Sequence, residues 1–213
     1  NALYSEDGYN DKGKYYTDYI DLESFADQWL FYELNEENSV NSSVYYYKDS
    51  DICGDGKLHA SWPWDMEHSL AREGGAASSW FAAASDLKPE GYWMQFYHHR
   101  DFAEAVYKEW MTKFVPALEK ALNPETGYDP DGISSLDWYL GYYGTDAQIN
   151  ESRWNGSGFA EKLEKIRRIY TVRLDFLTEA LGLYDTDYIY FYKENGILYG
   201  VNAQEESIPV ENP

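Results

Sequence analysis

The chain is poor in cysteine, in basic residues and in long apolar runs, and each shortage removes a class of explanation. Its single cysteine, Cys53, cannot form a disulfide within the chain or a cysteine-based zinc site. No stretch approaches the roughly 20 consecutive apolar residues that cross a bilayer, and the N-terminus lacks the charged-then-apolar pattern of a signal peptide. The first residue is Asn1 rather than Met, which reads as a fragment or processed product whose targeting signal lies elsewhere. Seventeen Lys and Arg stand against 38 Asp and Glu, a formal charge of −21 over 213 residues. A surface of that sign repels phosphodiester backbones and anionic headgroups, which argues against nucleic acid and membrane-surface partners. Cations, basic peptides and neutral ligands remain. No repeat of a solenoid or propeller period is present.

Aromatic residues are abundant: 22 Tyr, 8 Trp and 9 Phe, far more than a disordered acidic polypeptide carries. The length suits one domain, or one domain with a small appendage. Residues 1–20 are rich in Gly, Asp and Tyr without a period and read as loop. Asp21 is a candidate N-cap for a helix in which Leu22, Phe25, Ala26, Trp29 and Leu30 form one stripe ending near Leu34. After a polar connection, Val44–Tyr47 and Leu58–Trp62 flank Gly54-Asp55-Gly56 as a hairpin. Past a loosely structured stretch from Arg72 to Pro89, further helices are expected. One is short, Tyr92–Tyr97, and the next is capped by Asp101 and carries Phe102, Val106, Trp110 and Phe114. Two more run over Leu136–Ile149 and Phe159–Leu181. In the last, Leu163, Ile166, Tyr170, Leu174 and Leu177 share a face and Gly182 is the C-cap. Asn195-Gly196 between two β-rich runs predicts a second hairpin. The fold class is therefore α+β, mainly helical, with a central and a C-terminal hairpin, divided as residues 1–183 and an appended 184–213.

The sharpest chemical constellation is Trp62-Pro63-Trp64-Asp65-Met66-Glu67-His68. In an extended Trp64–Glu67 the side chains alternate, so Asp65 and Glu67 share one face. Two converging carboxylates suit a hard divalent cation such as Mg²⁺ or a shared proton. The competing reading is a pair of solvated acids on a hairpin edge, against which the apolar neighbours Trp62, Pro63, Trp64 and Met66 weigh. Three other groups read as structural. His98-His99 lacks metal-ligand spacing, so neither zinc nor haem is expected. Gly74–Ser79 lacks the Lys and preceding strand of a phosphate loop. In Asn150-Glu151-Ser152-Arg153-Trp154, Arg153 is expected to pair with an acid while Trp154 packs.

The order of pieces is nevertheless distinctive. A helix ending in Glu33-Leu34 and a polar loop are followed by Ser42–Asp49, then by Gly56-Lys57-Leu58 leading into Trp62–Glu67. Further on come Tyr92–Gln95, Asp101-Phe102, Trp110, Asn150–Trp154 and Arg173–Leu177. Over roughly residues 20–181 this order resembles the spore coat protein H (CotH) kinase family of secreted or surface-associated atypical protein kinases. The resemblance implies a kinase-like C-terminal lobe, secretion or cell-surface location, ATP and Mg²⁺, with Asp65 and Glu67 holding the metal and its nucleotide. Glu67 stands where that family usually has Asp.

Where the family usually has Asn-x-Asp after the first helix, this chain reads Asn35–Asn41 without an Asp. Either Glu37 takes the catalytic place by a register shift, or Asn38 or Ser39 stands there, which leaves no base. The family's nucleotide lobe with its phosphate-binding Lys falls before residue 1, so the chain by itself is expected to bind ATP–Mg²⁺ weakly and to transfer no phosphate. Three functions follow. The first is a CotH-like kinase module completed by an upstream lobe and acting on a basic protein. The second is a pseudokinase serving as a binding or structural module of an extracellular assembly, in a polysaccharide-associated setting. The third is a glycoside hydrolase using paired carboxylates, which nothing else in the chain supports.

Overall fold

The computed structural model describes residues 2–37, 44–66, 69–70, 77–80, 92–154, 158–188, 190–202 and 204–210. It is α+β and mostly helical, with one antiparallel sheet of two strands and one of three among the described residues. Helix α1 (Leu22–Asn35) begins where the sequence places it: Asp21 is extended and its side chain accepts from Ser24 N–H, 2.9 Å. Its apolar stripe, Phe25, Ala26, Trp29 and Leu30, is buried at the centre of the molecule. Strands β1 (Tyr46–Lys48) and β2 (Leu58–Ala60) form the central hairpin, with Tyr47 opposite His59. The chain just before α1 lies along β2, Leu58 N–H donating to Tyr19 O and Asp21 N–H to Leu58 O. Helix entry and hairpin are thereby fixed to each other.

Helix α2 spans Tyr92–Tyr97 and α3 spans Arg100–Glu109. A π-helical turn at Trp110–Phe114 leads into α4, Val115–Leu122. The widened turn has a local cause, since Pro116 has no N–H to give the carbonyl four residues earlier. Phe102, Val106 and Trp110 are buried, as their spacing predicts, Phe114 is half-buried against the same core, and Leu118 on α4 joins them. Asp101 does not cap α3: His99 holds the cap position. The Asp101 carboxylate lies inside the first turn, where Oδ1 accepts from Tyr15 Oη at 3.1 Å and Tyr16 Oη at 2.7 Å, anchoring the N-terminal segment.

Helix α5 runs from Leu136 to Trp154, five residues past its expected end, and packs along α6 (Phe159–Leu181). The extension leaves Trp154 72% exposed, so it does not pack as its neighbours suggested. Glu151 instead accepts from Phe159 N–H at 2.6 Å and ties the start of α6 to the end of α5. The buried face of α6 is rotated from the expected stripe: Ile169, Arg173, Phe176, Leu177, Ala180 and Leu181 are inside. An arginine thus sits in the middle of an apolar face.

The C-terminal hairpin pairs β3 (Tyr190–Glu194) with β4 (Ile197–Val201) across Asn195 and Gly196, both at positive φ, the type I′ geometry that this dipeptide favours. A short third strand, β5 (Ser207–Pro209), adds to β4. It was not foreseen. The turn that returns it is held by Asn202 Oδ1, which accepts from the N–H groups of Gln204 and Glu206. Phe191 and Leu198 enter the same core as Trp29 and Trp80. Among the described residues no helix is long and apolar enough to cross a membrane.

Candidate functional site

At its C-terminal end α1 turns into a buried acidic corner. Glu36 closes the helix in the left-handed conformation, φ 51°, a place usually taken by Gly because a Cβ is strained there. Glu33, Glu36 and Glu37 are all fully buried. Glu37 Oε2 accepts from Ser69 Oγ at 2.7 Å, and Leu70 N–H donates to Asn35 O at 2.7 Å. These two bonds clasp the segment after Trp62–Met66 against the helix end. Asn35 completes the junction: its Nδ2 donates to Phe31 O, and its Oδ1 accepts from Tyr170 Oη at 2.7 Å on α6.

The structure therefore holds Asn35 and Glu37, at the end of the first helix, against Ser69 and Leu70, the residues that follow the Trp62–His68 constellation. Asn38 and Glu67 lie outside the described residues. Asp65 is exposed, at φ 60°. Asp65 is therefore not extended, and a left-handed residue breaks the side-to-side alternation of a strand at that position. Nor are the flanking indoles an apolar enclosure. Trp62 is 86% and Trp64 60% exposed, with Trp64 set edge-on to Tyr45 and Met66 packed against the core.

Beneath this corner, Arg173 and Glu33 form an ion pair with both side chains fully buried. Nη2 donates to Glu33 Oε1 at 2.7 Å and Glu33 O at 2.6 Å; Nη1 donates to Ala77 O at 2.9 Å and Ser79 O at 2.6 Å. The guanidinium satisfies carbonyls from two separate segments, one of them the described end of Gly74–Ser79. That stretch runs onto the edge of β3, where Lys193 N–H donates to Ser78 O and Trp80 N–H to Phe191 O. Sequence reasoning missed the Arg173–Glu33 pair. The one available signal was an arginine inside the apolar period of α6.

Among the described residues, two carboxylate-bearing groups elsewhere are close enough to hold a metal ion. In the first, Lys113 Nζ already occupies the centre, 2.8 Å from Glu23 Oε1, 2.9 Å from Asp27 Oδ2 and 2.7 Å from Glu109 Oε2. Burial works against the Lys113 charge, but its bonds to Glu109, Glu23 and Asp27 outweigh that and raise its pKa. Hydrogen bonding to Lys113 lowers the Glu23 pKa. Burial pushes Asp27 up in spite of Lys113. In the second, His59 Nε2 meets Asp55 Oδ2 at 2.9 Å, while Nδ1 lies 3.7 Å from Asp21 Oδ1 and the ring stacks on Tyr47. The Lys57 backbone N–H, and then His59, hold the Asp55 carboxyl below its usual range.

Of the paired histidines, His98 is exposed, and His99 is buried with Nε2 2.9 Å from Leu3 O. Arg153 is exposed. No family model matches the chain, and no curated protein or solved structure matches it either.

Proposed function

We propose that the chain is a phosphoryl-transfer module of the CotH type, acting on a protein hydroxyl, with its site at the junction of residues 33–38 and 62–70. One observation carries the placement. Of the five described non-glycine residues at positive φ, three fall in these two segments: Glu36, Asp65 and Leu70. Such residues cost on the order of 1–3 kcal/mol each and collect at functional sites, where surrounding structure holds them in place. Here the holding bonds are those of Glu37 to Ser69 and of Leu70 to Asn35. The kinase chemistry rests on the resemblance in the order of motifs.

The donor chemistry suits Mg²⁺, which takes one or two carboxylates and completes its shell with water and phosphate oxygens. Asp65 offers an exposed carboxylate, and Glu67 is the second ligand of the proposal. When bound, Mg²⁺ with ATP supplies charge neutralisation on the transferring phosphoryl group. The residues of the chain have separate tasks. Asp65 and Glu67 hold the metal, and Glu37 or Asn38 orients the acceptor hydroxyl. A surface of net charge −21 favours a basic acceptor segment.

A second reading has its own support. Glu37 is fully buried and engaged with Ser69, the condition of a structural carboxylate rather than a base open to substrate. In that case the scaffold is a pseudokinase serving as a binding module. Full-length protein incubated with labelled ATP, Mg²⁺ and a basic acceptor protein separates the two. The kinase reading expects transfer that disappears in Asp65→Ala. Absence of transfer, or transfer unchanged in Asp65→Ala, overturns it.

A further inference from the structure

Helix α5 turns most of its surface to solvent, and Leu136 is its one buried residue. Its first half nevertheless carries Trp138, Tyr139, Tyr142 and Tyr143, and Tyr128 joins them from the preceding loop. Trp138 stacks on Tyr128 and on Tyr142, with ring centroids 4.9 Å apart in each case. Tyr143 stands edge-on to Tyr142 at 4.8 Å, and Tyr139 edge-on to Trp138 at 5.0 Å. The rings are therefore contiguous. Tyr128 is 64% and Tyr142 65% exposed, Tyr139 39% and Tyr143 45%. At about 200 Å² per aromatic side chain, the four tyrosines leave on the order of 400 Å² open to water, a size at which an apolar patch is often functional.

The charges beside the rings select the partner. Asp146 follows Tyr143 by three residues and Tyr142 by four, so it flanks the same helix face, and Asp131 follows Tyr128 by three. Both acids are exposed, and neither forms an ion pair with a described residue. Lys120 and Arg167, which reach this loop and helix, are already engaged with Asp129 and Asp137, and Arg153 stands two turns beyond Asp146. A second copy of the chain would set −21 against −21 over a patch smaller than the roughly 800 Å² per partner of a stable interface. A neutral sugar would use the rings and leave the carboxylates without a role. A guanidinium uses both: its plane lies on an aromatic face, and its N–H fork donates to a carboxylate.

We propose that the aromatic face of α5, with Tyr128, is a docking surface for an arginine-bearing basic protein segment, one guanidinium lying on Tyr142 and donating to Asp146, another lying on Tyr128 beside Asp131. The surface shares no residue with Glu37, Asn38, Asp65 or Glu67 and needs neither nucleotide nor metal. In the kinase reading it is where a basic acceptor is held; in the pseudokinase reading it is the binding activity itself. The test titrates the whole chain, without ATP or Mg²⁺ and at about 0.15 M salt, with a labelled peptide of alternating Arg and Gly, with its Lys counterpart and with cellohexaose, following anisotropy for the peptides and heat for the sugar. The Arg peptide is expected to bind with Kd of about 0.1 mM or tighter, and more tightly than the Lys peptide. Tyr128→Leu/Tyr142→Leu keeps the net charge and removes two ring contacts, so affinity should fall about fivefold to thirtyfold. Asp131→Asn/Asp146→Asn should weaken binding about threefold or more, whereas Glu104→Gln/Glu194→Gln, the same loss of charge at exposed positions elsewhere, and Asp65→Ala should leave it unchanged. Circular dichroism checks that each variant keeps its fold. No binding of the Arg peptide, affinity indifferent to Tyr128→Leu/Tyr142→Leu, an equal loss in Glu104→Gln/Glu194→Gln, Lys peptide bound as tightly, or cellohexaose bound in place of the peptides would each overturn the proposal. Absence of phosphoryl transfer leaves it standing.

Discussion

Replacing Arg173 with Met removes four hydrogen bonds and one charge from a site that water does not reach. Both Arg173 and Glu33 are fully buried, so neither the guanidinium nor the carboxylate is compensated by solvent. The four acceptors belong to Glu33, Ala77 and Ser79, so the loss falls on α1 and on the strand-like segment bordering β3 at once. Taken singly, charge-assisted bonds contribute about 1.5–3 kcal/mol each, but four bonds of one group do not add. Removal of one partner from a buried pair costs about 3–5 kcal/mol, a large share of a total of about 5–15 kcal/mol. For a chain of this size the melting temperature should fall by about 6–20 °C.

Arg167, on the same helix, is the internal control. It bonds Asp137 at 2.7 Å, but the two side chains are 26% and 42% exposed, and exposed pairs contribute about 1 kcal/mol or less. Urea unfolding of the three variants, followed by tryptophan fluorescence, should show the largest loss in Arg173→Met, a smaller one in Arg173→Lys and the smallest in Arg167→Met. Lysine at the buried position keeps the charge but not the fork. A loss below about 1 kcal/mol in Arg173→Met, the size of a surface pair, would refute the reasoning.

Two further outcomes follow from local chemistry. Asp21→Ala should destabilise by about 1 kcal/mol through loss of the α1 cap, measurable as a lower urea midpoint at unchanged slope. Stability should also fall on the alkaline side. Burial, with Asp101 next, raises the Tyr15 pKa from 10.0 to about 12, and burial raises Tyr32 to about 12; Tyr16 and Tyr97 are raised for the same first reason. The folded chain keeps protons that the unfolded chain releases, so this stabilisation is complete below pH 10 and is lost as pH rises through 12. Tyrosinate absorbance should rise cooperatively with unfolding in that window. Smooth titration of every tyrosine near 10 in the folded state would contradict it.

What the sequence revealed was local. The Asp21 cap and the apolar spacing of α1 lie within a few residues, and Asn195-Gly196 carries its own turn geometry. The contacts that organise the molecule span most of its length. Arg173 is 140 residues from Glu33, Tyr170 is 135 from Asn35, and Tyr15 is 86 from Asp101. No period or motif announces such pairs. Asp101 illustrates the ambiguity, since an acid before an apolar run suits either a cap or a first-turn position, and two distant tyrosine hydroxyls decided between them. Asp65 illustrates another: one residue at positive φ invalidates an alternation that assumes an extended chain. The approach of Lys113 to Glu23 and Asp27 was equally invisible, because it comes from a distant helical segment, whereas its bond to Glu109 is an i, i+4 pair within one helical run.

The central claim, that the junction of residues 33–38 and 62–70 is a divalent-metal site for phosphoryl transfer, is tested most directly by adding Mn²⁺ in place of Mg²⁺ to isotope-labelled protein. Paramagnetic broadening of amide resonances should appear first around Asp65 and the neighbouring Asn35–Glu37 and Ser69–Leu70, and should vanish in Asp65→Ala while that variant keeps its fold. Broadening confined to the Asp21, Asp55 and His59 group, or broadening at the junction that survives Asp65→Ala, would contradict the account.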